Sequence, residues 1–232
     1  MNAIEPTTAM EIMAVDTPTS FYFPSDVNLF LGSARRKADT NLAVIELVKE
    51  IEKEGRFAIP DEQDLISHYV GYGDSSVLSA RYSDVVEAVT NEEFAALRAS
   101  TLNAHYTSLP IIRGIWAGLL HMGAGKLSVL RVLDPSAGIG HFRSTSPECL
   151  HTIARWVEIE LDNLTACILK NLHPNTEGQN VVFHDTFENV RLLENQFDIA
   201  ISNVPFGNFP VVDRSIKDSG LKKNIHDYFF VK

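Results

Sequence analysis

Four short apolar runs, Ser128 to Leu133, Trp156 to Glu160, Asn180 to Phe183 and Phe197 to Ile201, are separated by segments each long enough for a helix. That alternation predicts a parallel sheet with helical crossovers, an α/β arrangement. Ahead of these runs the apolar period is helical. Val44, Leu47, Val48 and Ile51 share one face between Asn41 and Glu54, with Glu46, Lys49, Glu50 and Lys53 opposite and Gly55 at the stop. Pro60 opens a second helix carrying Leu65, Ile66, Tyr69 and Val70 up to the turn Gly71-Tyr72-Gly73, and a capping box from Thr90 to Glu93 starts a third. Pro110 sets the first turn of another, with Ile112, Ile115, Trp116 and Leu119 on one face. Residues 1–38 hold neither a strand nor a helix period and read as a loosely ordered arm. The expected organisation is an arm (1–38), a helical region (39–100) and an α/β domain (101–232).

With 232 residues and 45% apolar content the chain has ample material for a core. No apolar run approaches the roughly 20 residues of a membrane-spanning helix. Met1 to Asp16 carries acidic residues where a signal peptide needs basic ones, so a cytoplasmic protein with no membrane partner is expected. Cys149 and Cys167 are the only cysteines, which excludes a disulfide framework or a four-thiolate zinc site within the chain. The net charge of -10 argues against non-specific nucleic-acid binding through bulk charge. Two local basic clusters, Arg35-Arg36-Lys37 and Lys217 with Lys222 and Lys223, read on charge patterning alone as solvated faces.

The run from Ser128 to Leu133 leads into Asp134-Pro135-Ser136-Ala137-Gly138-Ile139-Gly140-His141-Phe142. A strand entering a glycine-rich turn allows the backbone to approach a nucleotide-like ligand, since Gly138 and Gly140 have no Cβ to obstruct it. A dinucleotide site would want a third glycine at the helix start, where Arg143 stands instead, so a pyrophosphate is disfavoured. Glu160, at the tip of the next strand, suits the two hydroxyls of a ribose; the ligand implied is an adenosine-containing one without a diphosphate. Gly123-Ala124-Gly125-Lys126 precedes its strand and has Leu127 where a phosphate loop needs Ser or Thr, so it reads as a plain helix-to-strand connection.

The fourth run ends in Ser202-Asn203-Val204-Pro205-Phe206-Gly207. In a doubly wound sheet strands one and four lie side by side, so this loop and the glycine-rich loop would share a cleft. An Asn amide oxygen beside a backbone carbonyl offers two acceptors to one NH2 group, and Phe206 offers a face to a flat ring.

Together the two loops resemble motifs I and IV of the amino-methyltransferases that use S-adenosylmethionine. The family pattern at the second site is Asp, Asn or Ser, then Pro-Pro, then Tyr or Phe; Val204 here replaces the first proline and can still supply the backbone carbonyl. Asn103-Ala104-His105-Tyr106-Thr107-Ser108 resembles the family's loop over the methionine end of the cofactor, and Glu160 in Val157 to Asp162 resembles its ribose-binding acid. Asp185 would by resemblance contact the adenine, with Glu188 a rival. The implied cofactor-binding residues are Tyr106, Thr107, Asp134, Pro135, Ser136, Ala137, Gly138, Gly140, Phe142, Glu160 and Asp185, and the catalytic loop is Asn203, Val204, Pro205 and Phe206. His105 and His141 read as packing residues within these motifs.

The stretches from Glu46 to Gly73, Ala99 to Ser108, Asp134 to Phe142, Ile201 to Gly207 and Ile225 to Phe230 are similar to the N6-adenine DNA methylase region of large phage and plasmid proteins that often carry a helicase. The resemblance implies a Rossmann-like S-adenosylmethionine-dependent methyltransferase sheet after a helical N-terminal region, with DNA as substrate and no metal. Against the family's seven strands, about four are expected here, the C-terminal strands being absent and supplied, if at all, by a further polypeptide or helicase region. The same loop chemistry serves glutamine in a protein and cytosine N4. A non-catalytic binding remnant or antirestriction component of a mobile element is the reading outside enzymology.

Overall fold

The computed structural model describes residues 18–27, 29, 32–100, 106–176, 178–205, 210–213, 217, 220, 224–230 and 232. Helix α1 (Ala34–Glu54) starts seven residues before the expected Asn41, because Ser33 caps it by accepting from Arg36 N and because Ala38 and Asn41 extend its buried face. Gly55, in the left-handed region at φ 66°, ends it. Asn41 is fully buried; its Nδ2 donates to Gly71 O at 2.7 Å and its Oδ1 accepts from Val70 N at 2.9 Å. This amide gives two backbone groups of the buried Gly71 turn, Val70 N and Gly71 O, a partner.

Helix α2 (Pro60–Ser67) ends before Tyr69 and Val70, which lie on the buried turn beyond it. Helices α3 (Ser75–Ala80) and α4 (Tyr82–Ala88) follow; neither is long enough to register as a periodic pattern in the sequence. Helix α5 (Asn91–Ser100) begins at the expected capping box, with Thr90 N donating to Glu93 Oε2 at 2.8 Å and Glu93 N to Thr90 Oγ1 at 3.2 Å. In α6 (Leu109–His121) the residues Leu109, Ile112 and Trp116 are buried, whereas Ile115, expected on the same face, is 39% exposed.

The sheet is four-stranded and parallel in the order β3-β2-β1-β4, from β1 (Leu130–Asp134), β2 (Ala154–Glu160), β3 (Asn180–His184) and β4 (Ile199–Ala200). The α/β class and the pairing of strands one and four are as the sequence pattern predicts. Short helix α7 (His141–Ser144) and helix α8 (Asn163–Leu172) lie between the strands in sequence, and Gly123 to Lys126 forms the expected helix-to-strand connection, a single 3-10 turn.

Side chains alternate across the strands. Leu130, Val132 and Trp156 join Leu109, Ile112, Trp116 and Phe142 in one cluster, and Leu133 and Ile159 join Phe187, Val190, Val211 and Tyr228 in another. Tyr228, in α9 (Ile225–Phe229), is fully buried with its hydroxyl donating to Asp213 Oδ2 at 2.6 Å. Leu164, Ile168 and Leu172 of α8 and Ile139 of the glycine-rich turn belong to the same apolar cluster as α1 to α5. The helical region and the α/β domain therefore share a core, and Gln63 Nε2 fastens them by donating to Asn171 O at 2.8 Å.

Residues 18–27, within the stretch expected to be loosely ordered, run along this body. Phe21 N donates to Leu172 O at 2.8 Å and Phe23 N to Ser144 O at 2.7 Å, while the Tyr22 ring stacks on His151 with centroids 3.5 Å apart. Phe21 packs against the cluster of α1 to α5 and α8, and Phe23 against the one that holds Trp116 and Phe142. Three consecutive aromatics supply apolar area that periodicity alone does not score.

Arg143 of α7 and Glu158 of β2 form a buried pair, at 5% and 0% side-chain exposure and 3.1 Å apart, and Arg143 also donates to Ser20 Oγ at 2.7 Å. Removing one member leaves a buried charge uncompensated. Arg143→Met is expected to lower unfolding stability by about 3–5 kcal/mol in urea titration, and Arg143→Met with Glu158→Leu to recover most of the loss.

Candidate functional site

The turn after β1 is organised by three carboxylates on one face of the strand ends. Asp134 pairs in register with Glu158, and Glu160 follows two residues later on the same side. Asp134 is 1% exposed; its Oδ1 accepts from Ser202 Oγ at 2.7 Å and from Ser136 N at 3.3 Å, and its Oδ2 has no hydrogen-bond partner among the described residues. Burial, with Glu158 and Glu160 adding to it against the Ser202 hydrogen bond, pushes the Asp134 carboxyl up to about 8. Burial also raises Glu158, against the pull of Arg143.

Glu160 faces the turn itself. Its Oε2 accepts from Gly138 N at 2.8 Å and its Oε1 from Asp162 N at 2.9 Å, and burial moves it up to about 7 despite these donors. Asp162 in turn caps α8 by accepting from Thr165 N at 2.8 Å. The expected ribose acid thus holds the glycine turn and the start of α8 together, with lone pairs left on each oxygen.

The two glycines serve different neighbours. A Cβ on Gly138 (φ +56°) would stand 2.8 Å from Tyr106 Cε1, so the Tyr106 ring lies directly against the turn. The same ring is 5.0 Å from His141, which burial holds down at about 4 and which packs between Tyr106 and Phe23. A Cβ on Gly140 (φ +83°) would meet His173 Cδ2 at 2.5 Å and Leu169 Cδ1 at 2.7 Å, so Gly140 gives room to α8.

Pro135 and Ala137 are buried, Ser136 is half-buried, and Thr107 is half-buried on the approach to α6. Phe142 lies in the core beside Trp116, whose Nε1 donates to Phe142 O at 2.8 Å. Asp185, exposed at the end of β3, accepts from Thr186 N at 2.7 Å and Asn189 Nδ2 at 2.9 Å; the Asn189 hydrogen bond chiefly holds its carboxyl low. Asn203, Val204 and Pro205 are half-buried directly after β4, whereas Phe206 and His105 lie outside the described residues.

Sequence reasoning missed Arg143, Glu158 and Ser202 as parts of this arrangement. The signal was present: Glu158 is two residues from Glu160 in a strand, and Arg143 occupies a position whose only reading was the lack of a glycine. A groove of about 530 Å³ lies elsewhere, between α1 and α4, lined by Asp39, Glu46, Asp84 and Glu87 around Arg81.

No protein-family model matches the sequence, and no curated protein does. Two solved structures are similar to this chain at low identity. One is the methyltransferase subunit of a type I restriction-modification system from Streptococcus thermophilus, at 13% identity and a TM-score of 0.44, covering 73% of this chain and 38% of that one. The other is a putative class I S-adenosylmethionine-dependent methyltransferase from Listeria monocytogenes, at 15% identity and a TM-score of 0.37, covering 76% of this chain and 61% of that one. The chain therefore spans under two thirds of either.

Gly140→Ala is expected to cost about 3 kcal/mol or more in urea unfolding, since His173 and Leu169 are held in the core. Gly138→Ala should cost at least about 1–2 kcal/mol, from the left-handed backbone together with displacement of the Tyr106 ring, whose other edge packs on Gly71.

Between an unfolded carboxyl pKa of about 4 and the folded value near 8, the native chain keeps a proton on Asp134 that the unfolded chain has lost. Its contribution to stability is present in acid, falls as pH rises through that window and is flat above it. Asp134→Asn, which stays neutral, should match the wild type in unfolding free energy from urea titration near pH 3 and exceed it by about 1–3 kcal/mol near pH 8.

Proposed function

We propose that the carboxyl edge of this sheet binds S-adenosylmethionine and that the chain transfers its methyl group to the N6 amine of adenine in DNA. The observation that carries the reading is the parallel pairing of β4 with β1, Leu133 opposite Ala200, with Ser202 beyond it hydrogen-bonded to Asp134 at the start of the glycine-rich turn. An acceptor pair for an amine and a turn suited to an adenosine-containing ligand thus lie at neighbouring strand ends.

The residues present fit such a ligand. The buried Asp134 Oδ2, without a hydrogen-bond partner among the described residues, leaves a polar atom for a ligand to meet, and Glu160 retains acceptor capacity for ribose hydroxyls. The cofactor supplies an electrophilic methyl group on a positively charged sulfur. Gly138 and Tyr106 would line its approach, Glu160 would hold the ribose, and Asp185 would face the adenine edge.

The target adenine must leave the base stack for its amine to enter the cleft. Phe206 would stack on it, while the Asn203 amide oxygen and the Val204 carbonyl accept the two N6 hydrogens and turn the nitrogen lone pair toward the glycine-rich turn. Holding that line of attack is the main catalytic contribution, because well-oriented reactants react at effective molarities far above solution values. An amide oxygen is a weak base, so the N6 proton is released to water after transfer.

Calorimetric titration of S-adenosylmethionine into the chain should show binding that Gly138→Leu abolishes. With labelled cofactor, unmethylated DNA should gain label on adenine N6, and Asn203→Ala should lower the rate at least about 100-fold. Label on a glutamine-containing protein alone, or on cytosine N4, would sink the adenine assignment, and absence of cofactor binding would favour a non-catalytic module.

A further inference from the structure

We propose that Ser202 is a positioning residue, its hydroxyl locking the Asn203–Pro205 loop to the glycine-rich turn through Asp134; the inference rests on the function proposed above. Beside the paired residues of β4 and β1, Asp198 N donates to Arg131 O and Ile201 N to Leu133 O, both at 2.9 Å, and Arg131 donates from its backbone N and its guanidinium to the Asp198 carboxylate. One residue beyond Ile201 the tie passes to a side chain, with Ser202 Oγ donating to Asp134 Oδ1 at 2.7 Å.

That oxygen is also the acceptor for Ser136 N, which belongs to the glycine-rich turn. A single atom, on a residue 1% exposed and fixed at the end of β1, is therefore shared by both loops. Asn203 and Val204 follow Ser202 directly, at about 3.8 Å per residue along the chain, so an anchor at Ser202 limits where their two acceptors can stand. Nothing in this arrangement requires the Ser202 hydroxyl to touch either reactant.

The consequence is a split between binding and transfer. Ser202→Ala removes the tie and leaves the glycine-rich turn with its own hydrogen bonds to Glu160 and Ile159, so cofactor affinity should change less than about threefold. Misplacing the amine acceptors by about 1 Å should lower single-turnover methyl transfer about 10- to 100-fold. Ser202→Thr keeps the hydroxyl and should restore the rate to within about threefold of wild type.

A second measurement needs neither cofactor nor activity. Nitrogen-15 relaxation should give the backbone amides of Ser202, Asn203 and Val204 order parameters near 0.85 in the wild type and in Ser202→Thr, falling below about 0.6 in Ser202→Ala. Unchanged order in Ser202→Ala overturns the positioning role, as does an equal loss of affinity and rate that Ser202→Thr fails to rescue. A wild-type chain that neither binds the cofactor nor methylates DNA overturns the proposed function, while the relaxation result still decides whether Ser202 holds the loop.

Discussion

Three acidic side chains at the ends of two neighbouring strands must be kept from carrying uncompensated charge in a buried place. Glu158 meets Arg143, Glu160 meets the amides of Gly138 and Asp162, and Asp134 retains its proton up to about 8 while accepting from Ser136 and Ser202. A buried carboxylate without such partners would cost several kcal/mol. The neutralising groups come from α7, the glycine-rich turn, the start of α8 and the loop after β4, so the acids dictate where those four elements sit. In the function proposed here, the acceptor capacity left on Glu160 is what the ribose of the cofactor would meet.

The scaffold beneath this edge is one body. Helices α1 to α5 do not form a separate bundle, because their apolar face is completed by Leu164, Ile168 and Leu172 of α8. Helix α8 also presses His173 and Leu169 against Gly140, which fixes the turn from below, while Tyr106 covers it at Gly138. The N-terminal aromatics Phe21 and Phe23 close the seam around α7, and Ser20 adds a partner to Arg143. Motion of the helical region would therefore be felt at the glycine-rich turn through α8.

Much of this was legible in the order of residues. The parallel sheet, the strand-to-turn junction at Asp134 and the neighbouring ends of strands one and four follow from alternation and topology rules that hold for any chain with this pattern. The capping box at Thr90 and the stop at Gly55 follow from local backbone chemistry. Less legible were α3 and α4, too short to show a period, and the exposure of Ile115, since spacing alone does not say how far an apolar stripe is covered. The order of residues 18–27 was not legible because Phe21 and Phe23 are held by backbone bonds to Leu172 and Ser144, residues more than a hundred positions away.

The sequence by itself determined the class of fold, the two loops that meet at its edge and the residue types that could carry chemistry there, because each depends on patterns within a few residues. Only the tertiary structure decided how the buried acids are neutralised, why Gly138 and Gly140 answer to different neighbours, and that Ser202 joins the two loops through one oxygen of Asp134. Those facts depend on which distant side chains face one another after folding. A hydrogen bond between residues 68 positions apart leaves no local period to read.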